Sequence, residues 1–322
     1  MTIHKKTLLQ SAAALVASCF VAPIAALAEE PIPVVATFSI LGDMVERIGD
    51  EHVTVTTLVG PGGDAHVYQP TPADAQAVQA ADVLIANGLE FEGWIDRLAE
   101  AAEFDGALAI AATGVDAISE DGHDDDHDDD HDDEHAEGDH HDDEDHGAVD
   151  PHAWLSLENA VIYVDNITAA LAEADPENAA IFDENRDAYV EEIEALDAEI
   201  RAMMSALPED TRSVVTSHDA FQYFAEEYGL TFLAPQGVST ESEASAQDVA
   251  RLIEQIRADD IPAVFMENVA DPRLVEQIAD ETGASIGGTL YPEALSEADG
   301  PATTYLDLMR HNATTLSTAL GS

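Results

Sequence analysis

The chain alternates short apolar runs with amphipathic helical patterns, and that alternation limits it to a few architectures. In the first half the runs are "PVVATFSI" (33–40), "VTVTTLVG" (53–60), "DVLIANG" (82–88) and "ALAIAA" (107–112). Between them lie the helical stretches "LGDMVERIGD", "TPADAQAVQAA" and "FEGWIDRLAEAA". The second half repeats the scheme with "SVVTS" (213–217), "LTFLAP" (230–235), "AVFMEN" (263–268) and "ASIGGTL" (284–290). Its helical patterns are "AFQYFAEEYG", "SAQDVARLIEQIRADD", "DPRLVEQIADETG" and a closing "TYLDLMRHNATTLSTAL". A helix between consecutive strands carries the chain back to the same end of a sheet, so the strands run parallel. Between the halves, "SLENAVIYVDNITAALAEA" reads as a helix. Residues 176–207 read as one long amphipathic helix, with Pro176 near its start and Pro208 stopping it. At 1.5 Å per residue such a helix approaches about 45 Å. The expected class is α/β: two lobes, each with a mainly parallel sheet flanked by helices, joined by one long linking helix. The lobes are residues 29–175 and 208–322, with the linking helix at 176–207.

One segment breaks every period. Residues 119–147 are almost entirely Asp, Glu, His and Gly, with no apolar side chain larger than Ala136 between 120 and 147. Such a stretch cannot bury enough apolar area to offset its ordering entropy, so it reads as a disordered acidic loop inside the first lobe. It carries His123, His127, His131, His135, His140, His141 and His146, side chains that can collect zinc weakly together with the carboxylates around them. "HDDEH" at 131–135 matches an inverted zinc-protease pattern, but that pattern works only on a packed helix, which this composition cannot supply.

The first residues have the form of an export signal. Lys5 and Lys6 precede the apolar "TLLQSAAALVASCFVAPIA", and Ala26-Leu27-Ala28 offers small residues for cleavage after Ala28. A competing reading is lipoprotein processing at Cys19, in the lipobox-like "VASC". Cleavage after Ala28 removes the sole cysteine and both lysines, leaving neither a disulfide nor a thiolate ligand. The formal charge then moves from −56 to −58. So acidic a chain is a poor partner for nucleic acid or anionic lipid, and cations are its natural ligands.

Five histidines remain outside the export segment and the acidic loop. His66 follows the run 53–60, His152 follows 107–112 and the acidic loop, and His218 ends 213–217. In open parallel sheets ligands gather outside the carboxyl ends of strands, where all three of these lie. His52 reads as a surface residue and His311 as a helix-face residue. Glu293, beyond the last run of the second lobe, is the candidate for a fourth ligand. Three imidazoles and one carboxylate suit tetrahedral Zn²⁺, with Cu²⁺ and Ni²⁺ as competitors by intrinsic affinity, whereas Mn²⁺ prefers more carboxylate oxygen. Ordinary imidazoles would lose such a metal as they protonate below about pH 6.5. No nucleophile elbow, phosphate loop or dinucleotide fingerprint is present, and "GPGGD" at 60–64 reads as a turn.

Taken in order, "GPGGDAHVYQPTPAD", "NGLEFEGWIDRL", "DPHAWLS", "TSHDAFQYFAEEYGL" and "TTYLDLMRHN" resemble the cluster A-I metal-binding proteins of ABC transporters, from about Val34 to Leu320. The resemblance implies two α/β lobes with one metal held between them, on His66, His152, His218 and Glu293. The fourth position is usually Asp, one methylene shorter than Glu293, and Asp64 and Glu241 are weaker alternatives for it. A His at the third position goes with zinc in this family, and a Glu there with manganese or iron. An acidic His-rich loop ahead of the second ligand is typical of zinc importers. The implied protein is a periplasmic, monomeric, non-enzymatic zinc-capture protein that delivers Zn²⁺ to an ABC permease. A periplasmic zinc metallochaperone is a further partner, and the loop is an accessory collector or sensor. The alternatives are a manganese- or iron-binding member of the same family, and a zinc-buffering or adhesin-like surface protein without a transporter.

Overall fold

A computed structural model describes residues 30–119 and 149–321. The export segment and the seven loop histidines lie outside the described residues. The first sheet contains β1 (Ile32–Phe38), β2 (Val53–Val59), β3 (Val83–Ala86) and β4 (Ala107–Ile110), in the order β2-β1-β3-β4 with every pair parallel. β3, an unbroken apolar run, is buried throughout and sits inside the sheet, as does β1. The alternating "VTVTT" of β2 belongs to an edge strand, with residues half-buried and exposed in turn. α1 (Ser39–Gly49) leaves the end of β1 and packs on β2 so closely that a Cβ on Gly42 would run into Thr57. α2 (Pro72–Gln79) starts at a capping box between Thr71 and Asp74, with Pro72 in its first turn.

α3 (Ile95–Ala101) is shorter than the pattern from Phe91 suggests. Residues 89–94 form turns instead, with Leu89 and Glu90 at positive φ of 52° and 62°. The cause is Glu92, whose carboxylate points inward and accepts from Thr37 Oγ1 at 2.5 Å and the Asn87 amide at 2.7 Å. An acid that reads as part of a solvated helix face is instead a buried anchor at the end of β3.

The second sheet repeats the first: β5 (Ser213–Val215), β6 (Thr231–Leu233), β7 (Ala263–Glu267) and β8 (Ser285–Leu290), ordered β6-β5-β7-β8, all parallel. α6 (Gln222–Tyr228) ends on Gly229 in the left-handed conformation at φ 70°. α7 (Ala246–Ala258) and α8 (Arg273–Thr282) cover a small apolar cluster that includes Val215, Ile256, Val264 and Ile278. α9 (Tyr305–Leu320) lies on β8.

α4 (Leu157–Ala174) leads into α5 (Ala179–Ser205), the linking helix, about 40 Å long. It starts at 179 rather than 176 because Asp175 accepts from both the backbone and the side-chain amide of Asn178, making a turn between the helices. Phe182, Tyr189, Ile193, Leu196, Ile200 and Met204 form its buried stripe, at helical spacing. That stripe meets α1 and α4 on one side and α6 and α9 on the other. One apolar cluster therefore runs from β1 and β3 through α5 into the second lobe, as far as Phe265 and Leu290. Hydrogen bonds fasten the same seam. Leu295 N donates to Ser39 Oγ at 3.0 Å, Gly62 N to Leu295 O at 2.9 Å, and Tyr305 N to Asp43 Oδ2 at 2.8 Å. Among the described residues no helix is long and apolar enough to cross a membrane.

The described residues hold 49 acids against nine arginines, a formal charge of −40 that repels itself, and salt relieves that repulsion as the screening length falls from about 10 Å at 0.1 M to about 3 Å at 1 M. The melting temperature followed by circular dichroism should rise as NaCl is raised over that interval. A fall would mean that the surface ion pairs outweigh the repulsion.

Candidate metal centre

In each sheet the strand order reverses direction between two central strands, β1 and β3 in the first and β5 and β7 in the second. Ligand crevices of open α/β sheets open at the carboxyl ends of such strands. The loops that leave those ends carry the candidate residues. His66 is in the loop from β2 to α2, His152 precedes a 3-10 turn (Ala153–Leu155) and α4, His218 follows β5, and Glu293 follows β8. The fold brings all four together, with one donor atom from each lying within 4.8 Å of the others. His66 Nε2 is 3.3 Å from His152 Nε2 and 3.4 Å from Glu293 Oε2. The rings of His152 and His218 are 5.3 Å apart. All four side chains are buried, His66 the least so at 6% exposure.

Buried carboxylates aim two of the rings. His152 Nδ1 lies 2.8 Å from Asp150 Oδ1, and His218 Nδ1 lies 2.5 Å from Glu267 Oε2. Each Nδ1–H donates to its carboxylate, so the Nε2 lone pairs turn inward. Backbone amides hold those carboxylates in turn, His152 N on Asp150 at 2.9 Å and Ser217 N on Glu267 at 2.8 Å. Asp64 fixes His66 from its own turn, accepting from His66 N at 2.9 Å and, across the lobes, from Thr240 Oγ1 at 2.7 Å. Aromatic rings wall the pocket, with Phe91 4.7 Å from His66 and Trp154 5.3 Å from His152. The two indoles also pin ligand loops, Trp94 Nε1 to Ala65 O and Trp154 Nε1 to Pro292 O, both at 2.8 Å.

Three of the inward atoms lack partners of their own. His218 Nε2 and both carboxylate oxygens of Glu293 are buried without a hydrogen bond. Two imidazole lone pairs 3.3 Å apart, beside a buried carboxylate, repel unless a proton or a cation stands between them. Burial, followed by the charges of His152 and His218, holds His66 down to about 3. Burial and His218 likewise hold His152 well below an ordinary imidazole. Burial also opposes charge on His218, but Glu267, through its charge and its hydrogen bond, prevails and raises it to about 9. Burial pushes Glu293 up to about 8 against the pull of His218, and Asp150 up to about 7. The ordinary imidazole range near 6.5 therefore does not govern this pocket.

Of the other acids weighed for the fourth position, Asp64 has both oxygens engaged, and Glu241 is exposed on the wall of a cleft. That cleft, about 590 Å³, reaches His66 past Glu90, Phe91, Asp96 and Pro151. His52 stands against Phe182, and His311 Nε2 lies 3.0 Å from Thr289 O, so neither joins the cluster. Sequence reasoning missed Asp150, Glu267 and Glu92. An acid closing the otherwise apolar run "AVFME" was the available signal for Glu267.

The sequence profile of the family described as "ZnuA: Zinc-uptake complex component A periplasmic" matches residues 34–319. The chain belongs to this family. It is 34% identical to the iron-binding protein YfeA of Yersinia pestis, over 89% of this chain and 86% of that one. It is 32% identical to the manganese-binding lipoprotein MntA of Halalkalibacterium halodurans, over 90% and 89% of the two chains. Among solved structures, the Mn-bound periplasmic metal binding protein from Candidatus Liberibacter asiaticus matches with a TM-score of 0.75 and 33% identity, over 89% of this chain and 98% of its own. The periplasmic zinc binding protein TroA from Treponema pallidum matches with a TM-score of 0.79 and 28% identity, over 91% and 99%. The chain is thus a metal-binding substrate-binding protein of ABC transporters and not an enzyme, with the two-lobed α/β fold of these neighbours.

Because Glu267 fixes the tautomer and orientation of His218, Glu267→Gln should weaken metal binding by about 10- to 100-fold. Competition against a chelator measures this, and an unchanged affinity would show that the carboxylate does not govern the ring. Metal must also displace the protons that His218 and Glu293 hold below about 9 and about 8. Affinity should therefore climb from pH 6 to pH 9, with protons released near pH 7. Calorimetry in buffers of different ionisation enthalpy reads that release, and the absence of any buffer dependence would refute it.

Proposed function

We propose that the protein captures Zn²⁺ between its lobes on His66, His152, His218 and Glu293 and delivers it to the permease of an ABC transporter. The observation that carries this reading is the donor set and its spacing. A tetrahedral zinc ion with bonds of about 2.0–2.1 Å has donor–donor edges of about 3.3–3.4 Å. Two of the six edges have that length, His66 to His152 at 3.3 Å and His66 to Glu293 at 3.4 Å, and all four donors lie within 4.8 Å of one another. Three imidazoles with a single carboxylate also match the borderline softness of zinc better than that of manganese. A His at the position of His218 points the same way in the resemblance to the family.

The second reading, manganese or iron, is favoured by the names of relatives, since YfeA is called iron-binding and MntA manganese-binding. Glu293 also has two unpartnered oxygens, enough for a bidentate grip on a larger ion.

The acidic loop fits an accessory role through where it is rooted. Ser119 and Val149 pair in an antiparallel bridge, Asp150 N donates to Ile118 O at 2.9 Å, and Val149 and Pro151 line the cleft that reaches His66. Ions gathered by His123, His127, His131, His135, His140, His141 and His146 would be released beside that cleft. In this reading the chain is exported, cleaved after Ala28, works in the periplasm as a monomer, and can receive zinc from a metallochaperone. Lipid attachment at Cys19 competes with cleavage after Ala28, because several relatives are named lipoproteins, and the mass of the mature chain separates the two.

The paired ends at Ser119 and Val149 allow the loop to be replaced by a short turn. Titrated with zinc, that shortened protein should bind one ion tightly. The His152→Ala, His218→Ala double variant on the same background should lose tight binding altogether. Tight zinc binding that survives the double substitution would overturn the ligand assignment. Retention of manganese or iron in preference to zinc, after growth in mixed-metal medium, would favour the second reading.

A further inference from the structure

The chain has few cations, eleven Lys and Arg against 67 acids, and one of them is placed unlike the rest. Among the described residues, Arg47 pairs with Glu192, Arg186 with Asp165 and Asp187, and Arg310 with Glu199 and Asp307. Each of these arginines joins two helices. Arg201, on the linking helix, joins three. Its Nε donates to Asp197 Oδ2 on α5 at 2.7 Å. Its Nη2 donates to Glu158 Oε1 in the first turn of α4 at 2.8 Å and to Glu227 Oε1 on α6 at 2.7 Å. Its Nη1 donates to Glu227 O at 3.1 Å, and the guanidinium lies 5.5 Å above the ring of Tyr228. Tyr228 OH donates to Asp197 Oδ1 at 3.0 Å and closes the network.

The two outer helices are the ones that follow two of the ligands. His152 leads through a 3-10 turn and Ser156, the N-cap residue, straight into α4. His218 leads through a short turn into α6. We propose that Arg201 is a positioning residue for the metal centre, tying the helix behind His152 to the helix behind His218 and so setting the separation of the two imidazoles. The inference rests on the metal centre described above and adds to it a residue that touches no ligand.

The physical argument is one of leverage and charge. The rings of His152 and His218 are 5.3 Å apart, and each hangs from the amino end of its helix, so a slide of α6 against α4 moves one Nε2 relative to the other. The Glu227 side chain is only 7% exposed with Asp197 beside it, whereas Glu158, the α4 end of the tie, is 76% exposed. Without the guanidinium, Asp197 and Glu227 lose their shared counter-charge, and the polar tie between α5 and α6 is lost. A single guanidinium can hold three carboxylates because its donors are fixed in a plane, whereas an ammonium is a point charge on a flexible stem.

The test uses the full chain loaded with zinc and reads the slowest phase of zinc release into excess chelator. Arg201→Met, Arg201→Lys and Glu158→Gln are compared with Ile256→Ala, which loosens the small cluster behind the second sheet. Arg201→Met should still hold one tight zinc but release it on the order of fivefold faster, with Arg201→Lys and Glu158→Gln between it and the parent. Ile256→Ala should lower the melting temperature without changing release. If the Arg201 and Glu158 variants release zinc at the parental rate while their melting temperatures fall like that of the control, Arg201 is only structural and the proposal is overturned. Should Arg201→Met fail to fold, the lysine and Glu158 variants decide alone. A parent chain with no tight zinc phase would overturn the zinc-centre reading itself, and this inference with it.

Discussion

Everything around the centre follows from a set of buried donors that converge on one point. His66, His152, His218 and Glu293 are buried with their donor atoms converging, and Asp150 and Glu267 stand behind two of the rings. Among the described residues no Arg pairs with Asp150, Glu267 or Glu293. Buried charge without a counter-charge is too costly to hold, so in the absence of metal the pocket takes up protons. That is why His218 and Glu293 are pushed up while His66 and His152 are held down. A divalent cation resolves the conflict in one step, replacing those protons and accepting every inward lone pair. Selectivity for a cation over water is therefore set by what the pocket lacks as much as by what it contains.

The fold draws this pocket from two sheets rather than one. A parallel sheet delivers all its outgoing loops to one end, so two sheets facing each other by those ends converge up to eight loops on one point. Each lobe then contributes two of the four converging side chains, His66 and His152 from the first, His218 and Glu293 from the second. The lobes are fixed against each other by buried matter rather than by a hinge. The stripe on α5 crosses the seam, and Trp154 reaching Pro292 O and Ser39 receiving Leu295 N cross it within a few residues of His152 and Glu293.

The elements that periodicity identifies are those whose burial is one-sided or complete. The unbroken run of β3 and the stripe of α5 were legible because their neighbours are apolar in bulk, whichever residues they prove to be. His66, His152, His218 and Glu293 stood out as a set because they fall at strand ends in both lobes, where ligand groups gather, and the fold brings them together. Glu92 was not, since an acid amid "FEGWIDRL" satisfies a helix pattern, and only the amides of residues 87 and 88 and the hydroxyl of Thr37 turn it inward. Asp150 and Glu267 follow the same logic. Both are ordinary acids in sequence and become orienting groups only through a ring fixed by the fold, in one case from 49 residues away. Residues that act on other residues leave a weaker trace in sequence than residues that act on a ligand.

The continuity of the core also bears on how cargo leaves. A protein that opens by swinging its lobes apart keeps a polar seam between them, with the crossing confined to a few strands of chain. Here the apolar cluster is shared, and opening the seam would expose Tyr305, Trp154 and Leu290 together, all fully buried. At roughly 1.5–3 kcal/mol for each large apolar side chain exposed, that motion is too expensive to repeat with every ion carried. The ligand loops are cheaper to move, because each is a short crossing held by a few hydrogen bonds: the His66 loop by Trp94 and Asp64, the Glu293 loop by Trp154 and Ser39. His66 is also the one of the four side chains that lines the cleft, and the least buried of them. For the proposed zinc cargo, the route of least disruption thus runs past His66, with His152 and His218 staying on their helices.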